Sequence, residues 1–252
     1  MKRPLCRYLC SLIALLCLTC CGSTPVADED DGEGLRLLFI GNSLTYSNDL
    51  PGLLKNMLKQ ATVDVGRIEA VALPNFGLQD HWVHGQARAA IAEGGWDIVV
   101  FQQGPSATEG RPSLLEYSQR FAEEIKAVGA RPALYMVWPS SARAFDFDGV
   151  SDSYQTAAER IDGLLFPAGE AWRAAWRREA TLALYSADGF HPSLRGSYLA
   201  ALVMFEQITG RDLRALPAVI PTTAGDVTIT PELAVLLQEA AMEANASFAT
   251  HD

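Results

Sequence analysis

Apolar and polar positions alternate along this chain in blocks rather than singly. The block "LRLLFIGNSLTYSNDLP" sets the pattern: Leu37, Leu38, Phe39 and Ile40 follow one another without a break and then give way to Gly41, Asn42 and Ser43. A short continuous apolar run bounded by turn residues is what a strand buried on both faces looks like. Residues 35–40, 68–73, 97–102, 132–138 and 164–167 are therefore predicted as strands. Between them, apolar residues recur at helical spacing, as in Leu50, Leu53, Leu54, Met57 and Leu58. This predicts helices over 49–60, with Asn48 or Asp49 as cap, and over 81–93, 112–128, 153–162, 170–179, 194–207 and 231–248. Residues 139–152, rich in Ser, Asp and Gly, read as a polar loop, and no internal repeat is visible.

Strand and helix in alternation imply an α/β fold: a central parallel five-stranded sheet covered by helices on both faces, in three layers. In such sheets ligands bind beyond the carboxyl ends of the strands. Ser43, residues 74–80, residues 103–111 and residues 139–150 all follow strand ends, so four distant segments are expected to converge on one edge. Trp82 and Trp138 would lie near that edge. They are expected either in the core, the commoner fate, or exposed, where they could stack on a sugar ring or an acyl chain. Trp172 and Trp176, four apart, read as a core stripe.

The first 34 residues depart from this pattern. Lys2, Arg3 and Arg7 precede an apolar stretch from about Leu9 to Cys21, too short for a membrane span of ~20 residues and suited to a signal peptide. Its end, Leu18-Thr19-Cys20-Cys21-Gly22, resembles the lipobox of bacterial lipoproteins. That resemblance implies lipidation at Cys21, or at Cys20, and an anchor in the cell envelope. By the same likeness Gly22 leans towards an outer membrane in a Gram-negative source. Residues 22–34, polar and acidic, read as a tether to a domain over 35–252. All five cysteines (Cys6, Cys10, Cys17, Cys20 and Cys21) lie within the first 21 residues, so the domain that follows has no disulfide, thiol nucleophile or cysteine metal site. A formal net charge of −10, made more negative by removing Lys2, Arg3 and Arg7, disfavours nucleic acid as a partner.

The chemistry-bearing residues are few. A serine hydroxyl needs a base, and a histidine, with an ordinary pKa near ~6.5, is the usual one. His251 lies at the terminus, and His81 and His84 share a helix. His191 lies in "DGFHPSLRGSYLAA", three residues after Asp188 and just before Pro192. An Asp-x-x-His turn lets a carboxylate reach one ring nitrogen while the other points elsewhere; a plain capping turn with Ser193 as helix cap fits the same spacing. Asp80, His81 and His84 lack a third ligand of metal-site spacing, and "DFDG" (146–149) reads as an acidic turn rather than a calcium loop.

Together "FIGNSLT" and "DGFHPSLRGSYLAA" resemble the first and last blocks of the SGNH, or GDSL-type, serine hydrolases. The likeness is clearest over residues 35–210. It implies a flavodoxin-like fold and a Ser-His-Asp triad of Ser43 as nucleophile, His191 as general base and Asp188 as its orienter. It implies an oxyanion hole from Ser43, Gly77 and a third donor, Gln103 or Ser106, since "FQQGPSATEG" stands where the family has Gly-x-Asn-Asp. Asn42 stands for the family's Asp. The absence of Gly-x-Ser-x-Gly around Ser43 argues against the α/β-hydrolase family. No metal or cofactor is implied. The expected activity is hydrolysis of a small acyl ester, with carbohydrate O-acetyl groups as one substrate class. A lysophospholipid or short-chain lipid ester is the alternative substrate, and an inactive binding lipoprotein is the alternative of another class.

Overall fold

The computed structural model describes residues 34–217, 219–220 and 227–248. Cys20, Cys21, the signal segment, the tether up to 33, and His251 lie outside them. In chain order the elements are β1 (Leu35–Gly41), α1 (Ser43–Tyr46), α2 (Leu50–Gln60), β2 (Val65–Ala72), α3 (Leu78–His84), α4 (Gln86–Ala92), β3 (Ile98–Phe101), α5 (Arg111–Ala127), β4 (Arg131–Tyr135), α6 (Phe147–Ile161), β5 (Leu164–Phe166), α7 (Ala168–Arg178), α8 (Leu194–Thr209), β6 (Val219–Ile220), β7 (Val227–Thr228) and α9 (Pro231–Ser247), with short 3₁₀ turns at 47–49, 141–146 and 213–215.

Five strands form one parallel sheet in the order β2-β1-β3-β4-β5, the doubly wound arrangement in which a crevice opens beside β1 where the winding reverses. β1 lies inside the sheet, and Leu37 through Ile40 are completely buried, which is why its apolar run is unbroken. β2 lies at an edge and is mostly half-buried or exposed, with Val71 its buried residue. On one face α2 packs against α8, and α7, α8 and α9 pack together; on the other α3, α4, α5 and α6 form the covering layer. α9 packs on α7 and α8, and its Glu243 pairs with Arg177 and Arg178, the charged stripe of α7.

The chain departs from its sequence pattern in three places that bear on the site. The single helix expected over 81–93 is two helices, because Gly85 adopts φ +84° and ends α3 in a left-handed turn. The expected loop 139–152 is partly helical: a 3₁₀ turn over 141–146 leads into α6 at Phe147, six residues before the expected start. Phe147, Val150 and Tyr154 are buried at helical spacing, and that packing outweighs the poor helix propensity of Asp148, Gly149, Ser151 and Asp152. Finally, a helix begins at Ser43 itself, with Asn42 as its cap.

Candidate active site

Gly41 closes β1 for a steric reason. A Cβ there would come within 2.3 Å of the Thr45 hydroxyl and 2.7 Å of the Gln102 amide nitrogen. The closeness lets a buried polar knot form under the turn. Asn42 Oδ1 accepts from the Leu44 N–H (3.0 Å) and from Gln102 Nε2 (2.8 Å), while Gln102 also donates to Thr45 Oγ1 (3.1 Å). Asn42 Nδ2 donates to the Phe76 carbonyl (3.0 Å). A carboxylate has no proton for that last bond, so asparagine here ties the nucleophile turn to the segment after β2. His81, fully buried, donates from Nε2 to the Gly41 carbonyl (2.7 Å). Burial lowers its proton affinity, so the ring is held neutral beneath the turn. His84 instead turns a ring edge to Phe76. Among the described residues no cluster of three or more metal-ligating side chains occurs.

Helix α1 presents Ser43 at the carboxyl end of the sheet. The other partners arrive on residues 185–193, a tight loop closed by the Ser186 N–H to the His191 carbonyl (2.8 Å) and the Ser193 N–H to the Leu184 carbonyl (2.7 Å). Gly189 turns it with φ +68°, where a Cβ would strike the Ser141 hydroxyl. Ser193 also caps α8, as the capping reading of the Asp-x-x-His-Pro-Ser turn expects, and the same turn brings Asp188 to His191. His191 Nε2 lies 2.9 Å from Ser43 Oγ, and His191 Nδ1 lies 2.5 Å from Asp188 Oδ2. The second oxygen of Asp188 accepts from the Ser186 hydroxyl (2.9 Å) and from the N–H groups of Phe190 (2.9 Å) and His191 (3.0 Å). The imidazole, those backbone donors and the hydroxyl hold the Asp188 carboxyl far below the usual carboxylate range. It is a fixed anion aimed at Nδ1, which keeps the proton there and leaves Nε2 as the acceptor facing Ser43.

The expected oxyanion donors are close together but engaged. Gly77 begins α3, and its N–H donates to Asp80 Oδ2 (2.8 Å) in a capping box. A Cβ on Gly77 would lie 3.7 Å from Cβ of Gln103, so these two converge. The Gln103 amide nitrogen donates to Ser106 Oγ (2.9 Å) and to the Gly110 carbonyl (2.8 Å), and its oxygen accepts from Ser113. Tyr154, kept protonated by burial, donates to the Gly104 carbonyl (2.7 Å) and fixes the same loop. Ser106 supports the Gln103 amide at φ +59°.

A groove of about 300 Å³ runs between the loops after β3 and β4, and Phe190, the neighbour of His191, forms part of its wall; none of Ser43, Asp188 and His191 lines it. Pro105, Pro139 and Phe190 give it apolar walls, and Ser106, Ser140 and Arg143 line it with hydrogen-bonding groups. Arg143 bonds to Asp146 and reaches Glu109 across the groove (3.4 Å). Neither tryptophan expected near this edge lines it. Trp138 is fully buried, stacked on Trp172 at 3.6 Å, and donates to the Phe190 carbonyl (3.0 Å). Trp82 turns towards α5, against Phe121 and Tyr117, with Arg88 over its face. The residues that sequence reasoning missed are supports: Gln102, Asp80, Tyr154 and Asn48. Only Gln102 left a signal, a glutamine directly continuing an apolar strand.

The solved structures with this architecture agree with the two motifs. A candidate SGNH hydrolase from Slackia heliotrinireducens is 28% identical and superposes with a TM-score of 0.59 over 69% of this chain and 99% of that one. The chain has the SGNH hydrolase fold. Within that fold, a DUF4886 family protein from Bacteroides uniformis matches with a TM-score of 0.65 at 18% identity, over 84% of this chain and 95% of that one. An acetyl xylan esterase from Geobacillus stearothermophilus matches with a TM-score of 0.58 at 17% identity, over 71% and 96%. No family model and no curated protein sequence matches the chain. The SGNH resemblance read from "FIGNSLT" and "DGFHPSLRGSYLAA" therefore holds across the sheet and its connections.

Proposed function

We propose that this SGNH-fold protein is a serine esterase that hydrolyses a small acyl ester through Ser43, His191 and Asp188. The observation that carries the proposal is the unbroken hydrogen-bonded chain from Ser43 Oγ through His191 to Asp188, joining residues 148 apart in sequence. His191 Nε2 takes the hydroxyl proton as Ser43 Oγ bonds to the acyl carbon. The alcohol leaves with that proton as the C–O bond breaks. Water then attacks the acyl-enzyme, His191 takes its proton and returns it to Ser43 Oγ, and the carboxylic acid departs. Asp188 stays ionised throughout and stabilises the imidazolium. The Ser43 N–H, at the first position of α1, is a ready donor to the oxyanion. Gly77 and Gln103 serve as the further donors by exchanging Asp80, Ser106 and Gly110 for it.

The groove supports a compact, polar alcohol as the leaving group, such as an O-acetylated sugar. It is small, Ser106 and Ser140 place hydroxyls among its apolar walls, and Arg143 is already matched by Asp146 and Glu109 rather than set out for a phosphate. The support comes from this lining and not from tryptophan platforms, which point elsewhere. One observation favours a lipid ester as the second reading: Phe145, beside Arg143, is 79% exposed. Comparing acetyl with octanoyl esters separates the two. The altered third block raised an inactive binding protein as the alternative; the assembled triad favours the enzyme. The chain would act from the cell envelope through lipid on Cys21, and a Cys21→Ala variant that still takes up labelled palmitate would remove that assignment.

The deciding test is Ser43→Ala assayed on p-nitrophenyl acetate, with a fluorophosphonate probe on the parent protein. Turnover is expected to fall by ~10³-fold or more, and the probe to label Ser43. Unchanged turnover in the variant would discard the mechanism.

A further inference from the structure

The nucleophile and the base stand on different segments, and something must set the distance between them. The serine arrives on α1 and the short 3₁₀ turn after it; the histidine arrives on the loop before α8. At the 3₁₀ turn the backbone does something unusual. Asn48 and Asp49 both take left-handed conformations, with φ of +55° and +52°. Two consecutive non-glycine residues there are costly. Asn48 is exposed, so burial does not hold it in place. What the conformation achieves is to aim its amide. Asn48 Nδ2 donates to the carbonyl of Pro192 (3.0 Å) and to the hydroxyl of Ser197 (2.9 Å).

Pro192 is the residue after His191, and Ser197 lies in the first turns of α8. Ser197 is almost fully buried, and its hydroxyl bonds back to the Ser47 carbonyl at 3.4 Å. Among the described residues, the hydrogen bonds joining residues 43–48 to residues 185–197 are these three and the Ser43–His191 bond itself. The geometry points to Asn48 as a positioning residue: its amide braces the nucleophile turn against the base loop and thereby sets the reach of His191 Nε2 to Ser43 Oγ. The inference rests on the esterase reading for its kinetic consequence and on the Asn48 hydrogen bonds for its structural one.

The test compares Asn48→Gly, Asn48→Ala and Ser197→Ala. Glycine takes φ +55° without strain, so Asn48→Gly removes the amide and keeps the turn. For this variant kcat on p-nitrophenyl acetate is expected to fall by about ten- to a hundred-fold with KM within about two-fold, because small misplacements of reacting groups cost rate rather than binding. The rate of fluorophosphonate labelling of Ser43 should fall by the same factor, and the melting temperature should hold. Asn48→Ala adds backbone strain and should lower the melting temperature as well. Ser197→Ala keeps the Pro192 bond and should cost only about two- to three-fold. A crystal structure of Asn48→Gly should show the Ser43–His191 separation lengthened beyond hydrogen-bond reach. Parental kcat and labelling rate in Asn48→Gly, or an unaltered separation, would overturn the brace. A parent protein inert to both ester and probe would instead overturn the esterase reading, while the crystallographic separation still decides the role of Asn48.

Discussion

The two halves of the site are prepared differently. On the triad side, Asp188, His191 and Ser43 already point at one another, and each oxygen of Asp188 has a donor. On the oxyanion side, Gly77 gives its N–H to Asp80 and Gln103 gives its amide protons to Ser106 and Gly110. On the proposed esterase reading the first arrangement is a proton path, which needs fixed geometry before substrate arrives, and the second is a set of donors whose acceptor forms only during the reaction. Leaving such buried or half-buried donors bare would cost stability, so the resting molecule supplies its own acceptors. If the esterase reading holds, acylation exchanges internal hydrogen bonds for those of the oxyanion, and the exchange is centred on Asp80 and Gln103.

Breaking the triad side should have the largest effect. Asp188→Asn keeps the shape but turns an N–H towards His191 Nδ1, favouring the tautomer whose Nε2 carries the proton. A fall in kcat of roughly 10³-fold or more is expected, with KM little changed, and is measured on p-nitrophenyl acetate. On the oxyanion side, Gln103→Ala should cost on the order of 10² in kcat, whereas Ser106→Ala should cost no more than a few-fold, since Ser106 only holds the amide. A larger loss in Ser106→Ala than in Gln103→Ala would make Ser106 the donor and reverse the assignment.

The smallest effect concerns stability. Burial lowers the proton affinity of His81 in the folded state below that of the unfolded chain, whose value is near 6.5. Just below that pH the unfolded chain takes up a proton that the folded protein refuses, so stability is full above it and declines as pH falls. The slope is at most about 1.4 kcal/mol per pH unit and ends once the folded-state value is passed. Urea midpoints between pH 7.5 and 5 should show this decline, and His81→Gln should flatten it. An equal decline in the variant would remove His81 as its source.

The sheet was legible because its strands carry runs that no exposed element tolerates: Leu37–Ile40 can only be interior. The candidate triad was legible through the likeness of "FIGNSLT" and "DGFHPSLRGSYLAA" to the SGNH blocks; the spacing of Asp188 and His191 alone fits a capping turn equally well. The boundaries failed where packing overrides composition. Phe147 and Val150 draw a Ser-, Asp- and Gly-rich stretch into α6, and Gly85 divides what periodicity joins. The oxyanion side stayed ambiguous in sequence for a related reason. Whether Gln103 or Ser106 faces the reaction depends on side-chain partners such as Gly110 and Ser113, which no local spacing encodes. The tryptophans were ambiguous too, because a ring near a strand end can serve core or pocket, and Trp138 serves the core.

That last residue has a mechanical consequence. Trp138, stacked on Trp172 at the end of the sheet, grips the carbonyl of Phe190, the neighbour of His191. The backbone beside His191 is thereby tied to the interior through a buried indole rather than left on a free surface loop, so loss of the aromatic stack on heating is expected to carry the 185–193 loop with it.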